Sequence, residues 1–153
     1  MGDIGYLMGI YFPKITPDGK ADFRVEYAHN AHRVDDTPSF WYSHSIYRSG
    51  YTHDNLIMGH HMGGDAIDFF SRVTYYLRND LLLGLDYDYM VRGISLSPVE
   101  ETTHEVAADV TYDVTDKLSV MARYGFGMVD NFNLNEDEER TNHLLTTVVK
   151  YGF

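Results

Sequence analysis

The 153-residue sequence contains no cysteine, and this absence excludes disulfide scaffolds, thiolate zinc sites and cysteine nucleophiles. Basic residues are also scarce, because 12 Lys and Arg stand against 23 Asp and Glu, giving a formal net charge of -11. Neutralising the phosphates of a duplex needs an excess of basic side chains, so no nucleic acid partner is expected. The sequence also lacks a run of about 18 apolar residues, the length that a membrane-spanning helix requires.

Apolar and polar residues alternate with a period of two along much of the sequence, which is typical of half-buried strands. In LLLGLDYDYMVR (81–92), leucines, tyrosines and a valine fall on one face, while aspartates, glycine and arginine fall on the other. Similar alternation, weaker in the last three, occurs at 104–114, 118–129, 142–153, 4–12, 22–29 and 69–77. The sequence therefore predicts seven antiparallel strands and no helix.

Soluble sandwiches show the same alternation, but three further features favour a barrel that spans the outer membrane. Aromatic residues make up 14% of the sequence and gather near the predicted strand ends, where a lipid-facing surface meets the headgroups. The strands reach about 11 residues, enough to cross a bilayer at a tilt. Short polar connections alternate with long ones, the short ones being 16–20, 78–80 and 115–117 and the long ones 30–66, 93–103 and 130–141.

We therefore predict an all-β fold, an antiparallel transmembrane β-barrel of the outer-membrane type, with residues 1–153 as a single β-barrel region. Its short turns face the periplasm and its long loops, above all the extracellular loop 30–66, face outward. Phe153, with Tyr151 and Val149 on the same face, is similar to the C-terminal assembly signal of such barrels.

The odd strand count leaves the predicted sheet open. The seven strands are therefore expected to be the C-terminal part of a larger barrel, closed by missing N-terminal barrel strands or by a partner chain. The expected localisation is the bacterial outer membrane, with outer-membrane lipid and lipopolysaccharide as surroundings.

Charged residues of the predicted strands avoid the apolar face, where an Arg or Lys at the bilayer midplane would cost about 2–4 kcal/mol. They are predicted to line a hydrated lumen, either as a polar path or ligand surface or as cross-strand pairs that hold the barrel interior together. The predicted lumen-lining residues are Arg24, Glu26, Arg72, Asp86, Asp88, Arg92, Glu105, Asp109, Arg123 and Lys150.

Three stretches carry a family resemblance. They are IGYLMGIYFPKITPDGKADFRVEYA (4–28), SFWYSHSIYRSGYTHDNLIMGHHMGGDAIDFFSRVTYYL (39–77) and LLLGLDYDYMVRG (81–93), and the most specific part contains GHHMG (59–63) and Asp65. Together they resemble the closing region of the Wzi-type capsule assembly family of outer-membrane proteins. The resemblance implies a larger barrel that binds capsular polysaccharide at the cell surface and helps organise the capsule, without known catalysis.

The loop 30–66 carries the candidate binding residues. Its stretch FWYSHSIYRSGY (40–51) interleaves flat aromatic rings with polar side chains, the combination that a saccharide surface needs. The alternative is that several of these rings pack the loop against the barrel wall. The predicted polysaccharide-binding residues are Trp41, Tyr42, His44, Tyr47, Arg48, Tyr51, His60 and His61.

The neighbouring His60 and His61 also raise the question of a metal site. Adjacent residues of an extended segment point to opposite sides, and the sequence has no HExxH pattern or other zinc-ligand spacing. We therefore predict no metal site and no cofactor, and expect a glycine-rich bend with histidines that hydrogen-bond within the loop.

Catalysis is not expected either. Asp86 and Asp88 lie on one face of one strand, which does not give the two-sided carboxylate arrangement of glycosidases, and no nucleophile elbow or phosphate loop occurs. The sequence therefore predicts a non-catalytic outer-membrane lectin that binds capsular or other surface polysaccharide and supports capsule assembly or anchoring. The alternative is a passive channel or a structural barrel component of a larger envelope complex.

Overall fold

A computed structural model of the chain describes residues 4–31, 41–42, 46, 51–53 and 56–152. These residues form nine β-strands and one turn of 3-10 helix at Phe132–Leu134. The strands are β1 (Tyr6–Phe12), β2 (Ala21–His29), β3 (Thr52–His53), β4 (Leu56–Ile57), β5 (Ala66–Arg78), β6 (Leu81–Arg92), β7 (Glu101–Thr115), β8 (Leu118–Asp130) and β9 (Arg140–Tyr151). Among the described residues, no helix has the length and apolar character needed to cross a bilayer.

Seven of the nine strands in the described part of the chain form one antiparallel sheet, in the order β1-β2-β5-β6-β7-β8-β9. The predicted all-β fold with seven antiparallel strands is therefore confirmed. β3 and β4 pair with each other in a separate small hairpin inside the long connection between β2 and β5. Within the described residues β1 and β9 each pair with one neighbour, so the sheet is open, as the odd count predicts.

Tight polar turns join successive strands at one end of the sheet. Residues 79–80 connect β5 to β6, and residues 116–117 connect β7 to β8. In the turn before β2, the Gly19 N–H donates to the Thr16 carbonyl at 2.9 Å. The Thr16 hydroxyl donates to the Asp18 carboxylate at 2.5 Å and thereby lowers the pKa of Asp18. The short connections lie where the sequence predicts them.

Two strands, β5 and β7, begin three residues before their predicted starts. β5 begins at Ala66 because it pairs there with Asn30, the residue that follows β2. The Asn30 N–H donates to the Ala66 carbonyl at 3.0 Å, and the Ala66 N–H donates to Asn30 Oδ1 at 2.9 Å. β7 begins at Glu101, where Arg92 of β6 donates to the Glu101 carboxylate at 2.9 Å. Polar pairing thus lengthens both strands toward the long loops.

The main sheet has two chemically different faces. In β6, Leu83, Leu85 and Tyr87 point to one side and remain 39%, 54% and 36% exposed, whereas Asp86 on the other side is 4% exposed. We call these sides the apolar face and the polar face. A small apolar core of Ala28, Met62 and Ala66, with Met90 packed against it, lies at the loop end of the sheet.

Candidate functional site

The residues predicted to line a lumen share the polar face of the main sheet. The strand register pairs Arg24 with Arg72 and Arg72 with Asp86, and the alternation along each strand carries the others to the same side. The predicted residues that lie on this face are Arg24, Glu26, Arg72, Asp86, Asp88, Arg92, Glu105, Asp109, Arg123 and Lys150.

Four of these residues form a compact ion cluster at the centre of the sheet. Asp86 accepts hydrogen bonds from both Arg72 and Arg123, one on each carboxylate oxygen. Asp109 Oδ1 lies 2.8 Å from Arg72 Nη1 and 3.7 Å from Arg123 Nη1. The Asp86 and Asp109 side chains are 5% and 4% exposed, so two buried carboxylates balance two half-buried guanidinium groups.

Gly84 leaves the space that this ion cluster occupies. A Cβ at Gly84 would lie 2.5 Å from Asp109 Oδ1 and would also overlap Arg72 Nη2. A glycine inside a strand often marks such a close approach.

We expect Gly84→Ala to lower the free energy of unfolding by about 1–3 kcal/mol, the usual cost of overpacking. Gly127→Ala is the matched control, because it lies on the same face and its Cβ would have no neighbour closer than 3.9 Å. Urea unfolding of the assembled protein in lipid vesicles measures both, and equal stability of the two variants would contradict the prediction.

The long connections are tied together at the loop end by Asp65. Its backbone is left-handed, with φ of 58°, and its side chain is 3% exposed. The carboxylate accepts the Ser95 N–H at 2.9 Å, the Leu96 N–H at 2.8 Å and the Ser95 hydroxyl, while the Asp65 carbonyl accepts the Gly93 N–H at 2.9 Å. Asp65 therefore fixes the loop after β6 to the start of β5.

A second buried carboxylate continues this arrangement. Glu101 is 2% exposed and accepts Arg92 Nε at 2.9 Å. Its other oxygen accepts the backbone N–H of Asn133 at 2.7 Å, so the loop after β8 is bound to the start of β7. The three long connections thus meet at one end of the sheet through side-chain carboxylates.

Trp41 and Tyr42 pack at this same end. Their ring centroids lie 6.3 Å apart at an interplanar angle of 54°. A Cβ at Gly64 would lie 2.8 Å from the Trp41 carbonyl oxygen, and one at Gly59 would lie 2.7 Å from the Tyr42 hydroxyl, so both glycines allow close packing. The Tyr42 hydroxyl accepts the His60 N–H at 3.2 Å. These two rings therefore have packing roles, while Trp41 Nε1 is buried and has no hydrogen-bond partner among the described residues.

Of the other predicted binding residues, Tyr51, His60 and His61 lie in the described part of the chain. Tyr51 is 60% exposed, and its N–H donates to the Tyr42 carbonyl at 2.8 Å, so the Tyr51 backbone lies next to that of Tyr42. His44, Tyr47 and Arg48 lie outside the described residues.

His60 and His61 lie together against the polar face. We expected their rings to point in opposite directions, and this is wrong: the ring centroids are 4.5 Å apart. The segment is a turn rather than an extended strand, because the Gly63 N–H donates to the His60 carbonyl at 3.0 Å. His61 Nε2 lies 3.1 Å from Asp68 Oδ2. Burial lowers the pKa of His60, and the neighbouring His61 lowers it further, so His60 is neutral at pH 7.

Two adjacent cavities at the loop end share Leu7, Ala28 and His60. One, of about 250 Å³, is lined by Trp41 and Tyr42 among others. The other, of about 330 Å³, contains mainly polar groups: Arg24, Glu26, His60, His61, Asp68 and Asp88. The loop end of the sheet therefore offers an aromatic recess beside a charged one.

Two residues of this site, Asp68 and Asn30, were not predicted from the sequence. Asp68 and Arg72 are separated by an even number of residues on β5, so the alternation assigns both to the polar face. Asn30 Nδ2 donates to the Gly63 carbonyl at 2.7 Å, a long-range contact for which the sequence gives no signal.

Comparison with curated proteins and with solved structures gives no match. The model of the family described as capsule assembly protein Wzi matches residues 2–144. This match spans most of the chain and confirms the resemblance carried by the stretches at 4–28, 39–77 and 81–93. The chain therefore belongs to the Wzi capsule assembly protein family.

Proposed function

We propose that the chain is part of a β-barrel of the bacterial outer membrane that binds surface polysaccharide through its loop end and supports capsule assembly without catalysis. One observation carries this proposal. At the end of the sheet where the long connections meet, the exposed ring of Tyr51 and the packed rings of Trp41 and Tyr42 lie near a charged recess. Family membership supplies the biological setting.

The apolar face supports the membrane part of the proposal. Leu85, Leu145 and Val149 are 54%, 73% and 64% exposed, and water-soluble monomers rarely expose contiguous apolar surface of this kind. Contact with lipid would remove the cost of exposing this apolar surface to water. Unpaired edge amides and carbonyls do not occur in hydrocarbon, so further strands, from the same protein or from a partner, would complete the barrel.

The aromatic and polar groups at the loop end support the sugar-binding part. Saccharides present apolar C–H faces edged by hydroxyl groups, and a flat ring beside polar side chains complements both. Tyr51 offers an open ring, and His61 offers a side chain that is 61% exposed.

We expect Tyr51→Ala to weaken polysaccharide binding by about 1–3 kcal/mol, because a central aromatic contact is lost, while stability stays unchanged since the ring is exposed. The measurement is calorimetric titration of the assembled protein in detergent with purified surface polysaccharide. Tyr76→Ala is the matched control, because Tyr76 is 46% exposed and lies near the opposite end of β5, beside the turn at residues 79–80.

Trp41→Ala separates packing from binding in the same assay. Loss of Trp41 is expected to lower both affinity and heat resistance, because the ring packs at the sheet end beside Gly5. Should Tyr51→Ala retain full affinity and full capsule retention on cells, the sugar-binding proposal is wrong. A steady conductance in planar bilayers, unaffected by polysaccharide, would instead favour the passive channel.

A further inference from the structure

We propose that His60, His61 and Asp68 form a binding site for a divalent transition-metal ion, with Zn²⁺ the best match. This site shares His60 and His61 with the predicted sugar-binding residues, but its test uses the metal alone and does not depend on a polysaccharide. Two imidazoles and one carboxylate are a common protein ligand set for zinc, leaving a fourth position open.

The donor atoms are already gathered. One donor atom of each residue lies within 4.8 Å of the others; His61 Nε2 is 3.1 Å and His60 Nδ1 is 3.9 Å from Asp68 Oδ2. Zinc–ligand distances near 2.1 Å place tetrahedral donors about 3.4 Å apart, so the widest separation would contract by at most about 1.4 Å. The Met62 N–H donates a long 3.5 Å hydrogen bond to His60 Nδ1, which the metal would replace.

Asp68 gives an independent reason to expect a cation. Its side chain is 4% exposed, and its Oδ1 atom is buried with no hydrogen-bond partner among the described residues. A buried carboxylate oxygen without a partner is costly. The two histidines approach the other oxygen, Oδ2, and a cation bound by both oxygens of the carboxylate would offset that cost.

The surrounding charges also favour a cation. Asp88 and Glu26 line the same recess, and Arg24 is engaged with Glu26, its Nε donating to the Glu26 carboxylate at 2.8 Å. Three carboxyl groups, those of Glu26, Asp68 and Asp88, therefore line the recess against the single guanidinium group of Arg24. An ion bound here would join the loop that carries His60 and His61 to the wall strand β5.

The test is zinc binding by the assembled protein in detergent after removal of metals with a chelator. We expect one saturable Zn²⁺ per chain by calorimetry, not displaced by Mg²⁺ or Ca²⁺, which prefer oxygen ligands. Asp68→Asn keeps the shape of the side chain. Both Asp68→Asn and His61→Ala should weaken zinc binding at least about tenfold, because changing even a residue that only supports a metal ligand costs about 10–100-fold in affinity. Co²⁺ offers a second readout, because tetrahedral coordination gives visible absorption that both variants should lose.

His143→Ala is the matched control, because His143 is exposed on the apolar face and its ring Nδ1 is hydrogen-bonded to the Tyr124 hydroxyl at 2.7 Å. It should bind zinc as the unaltered protein does. The inference is overturned if the unaltered protein takes up no zinc, or if Asp68→Asn and His61→Ala bind zinc and Co²⁺ as tightly as His143→Ala. Heat-modifiable mobility on gels verifies that each variant is folded.

Discussion

Replacing Asp86 by alanine is expected to lower the free energy of unfolding by about 3 kcal/mol. The Asp86 side chain is 5% exposed and accepts from Arg72 and Arg123. Its loss leaves two guanidinium groups to the buried carboxylate of Asp109 and to the more exposed Glu105, whose Oε1 lies 3.9 Å from Arg123 Nη2. Removal of one partner from a buried ion pair costs about 3–5 kcal/mol. The lower value applies because Arg72 and Arg123 remain 26% and 30% exposed and water screens part of the imbalance.

Urea unfolding of the assembled protein in lipid vesicles measures this change. Asp113→Ala is the matched control, because Asp113 is an exposed aspartate on the polar face, on β7. Its loss should change the free energy of unfolding by less than about 0.5 kcal/mol. The double variant Asp86→Ala with Arg123→Ala restores the charge balance, so its cost should be smaller than the sum of the two single costs. Strict additivity would mean that the cluster does not act as a unit.

The fold was largely predictable because the strands of the main sheet are long and two-sided. A strand such as β6 repeats its alternation over 12 residues, which gives period-two analysis enough positions to detect. The errors lie at the loop end, where the early start of β7 depends on pairing between Arg92 and Glu101. Such pairing joins residues of different strands, so no local sequence pattern predicts it.

The candidate site was predictable in its residue types but not in its geometry. The histidines were identified, yet their contact with each other and with Asp68 depends on the turn closed by Gly63. The period-two pattern assumes an extended backbone at these residues and therefore predicts that the two rings point in opposite directions. Gly84 carried a usable signal, because a glycine within a strong strand pattern often marks a close approach.

The loops at the sheet end should loosen when Asp65 is replaced by alanine, while the sheet itself stays intact. The variant removes the carboxylate acceptor of the Ser95 and Leu96 N–H groups, which costs about 1–3 kcal/mol for the buried Ser95 and less for the exposed Leu96. Alanine is also strained at a φ of 58°. A local loss of about 2.8 kcal/mol corresponds to roughly 100-fold faster hydrogen exchange at these two amides.

Hydrogen exchange of the assembled protein, followed by mass spectrometry, tests this directly. The Gly152 amide, which donates to the Lys117 carbonyl at 2.8 Å at the opposite end of the sheet, should exchange at an unchanged rate and serves as the internal control. Asp65→Asn tolerates the left-handed backbone and keeps one acceptor oxygen, so its effect should be smaller than that of alanine. If Ser95 and Leu96 exchange equally slowly in Asp65→Ala, the loops are held by other contacts and Asp65 is not their anchor.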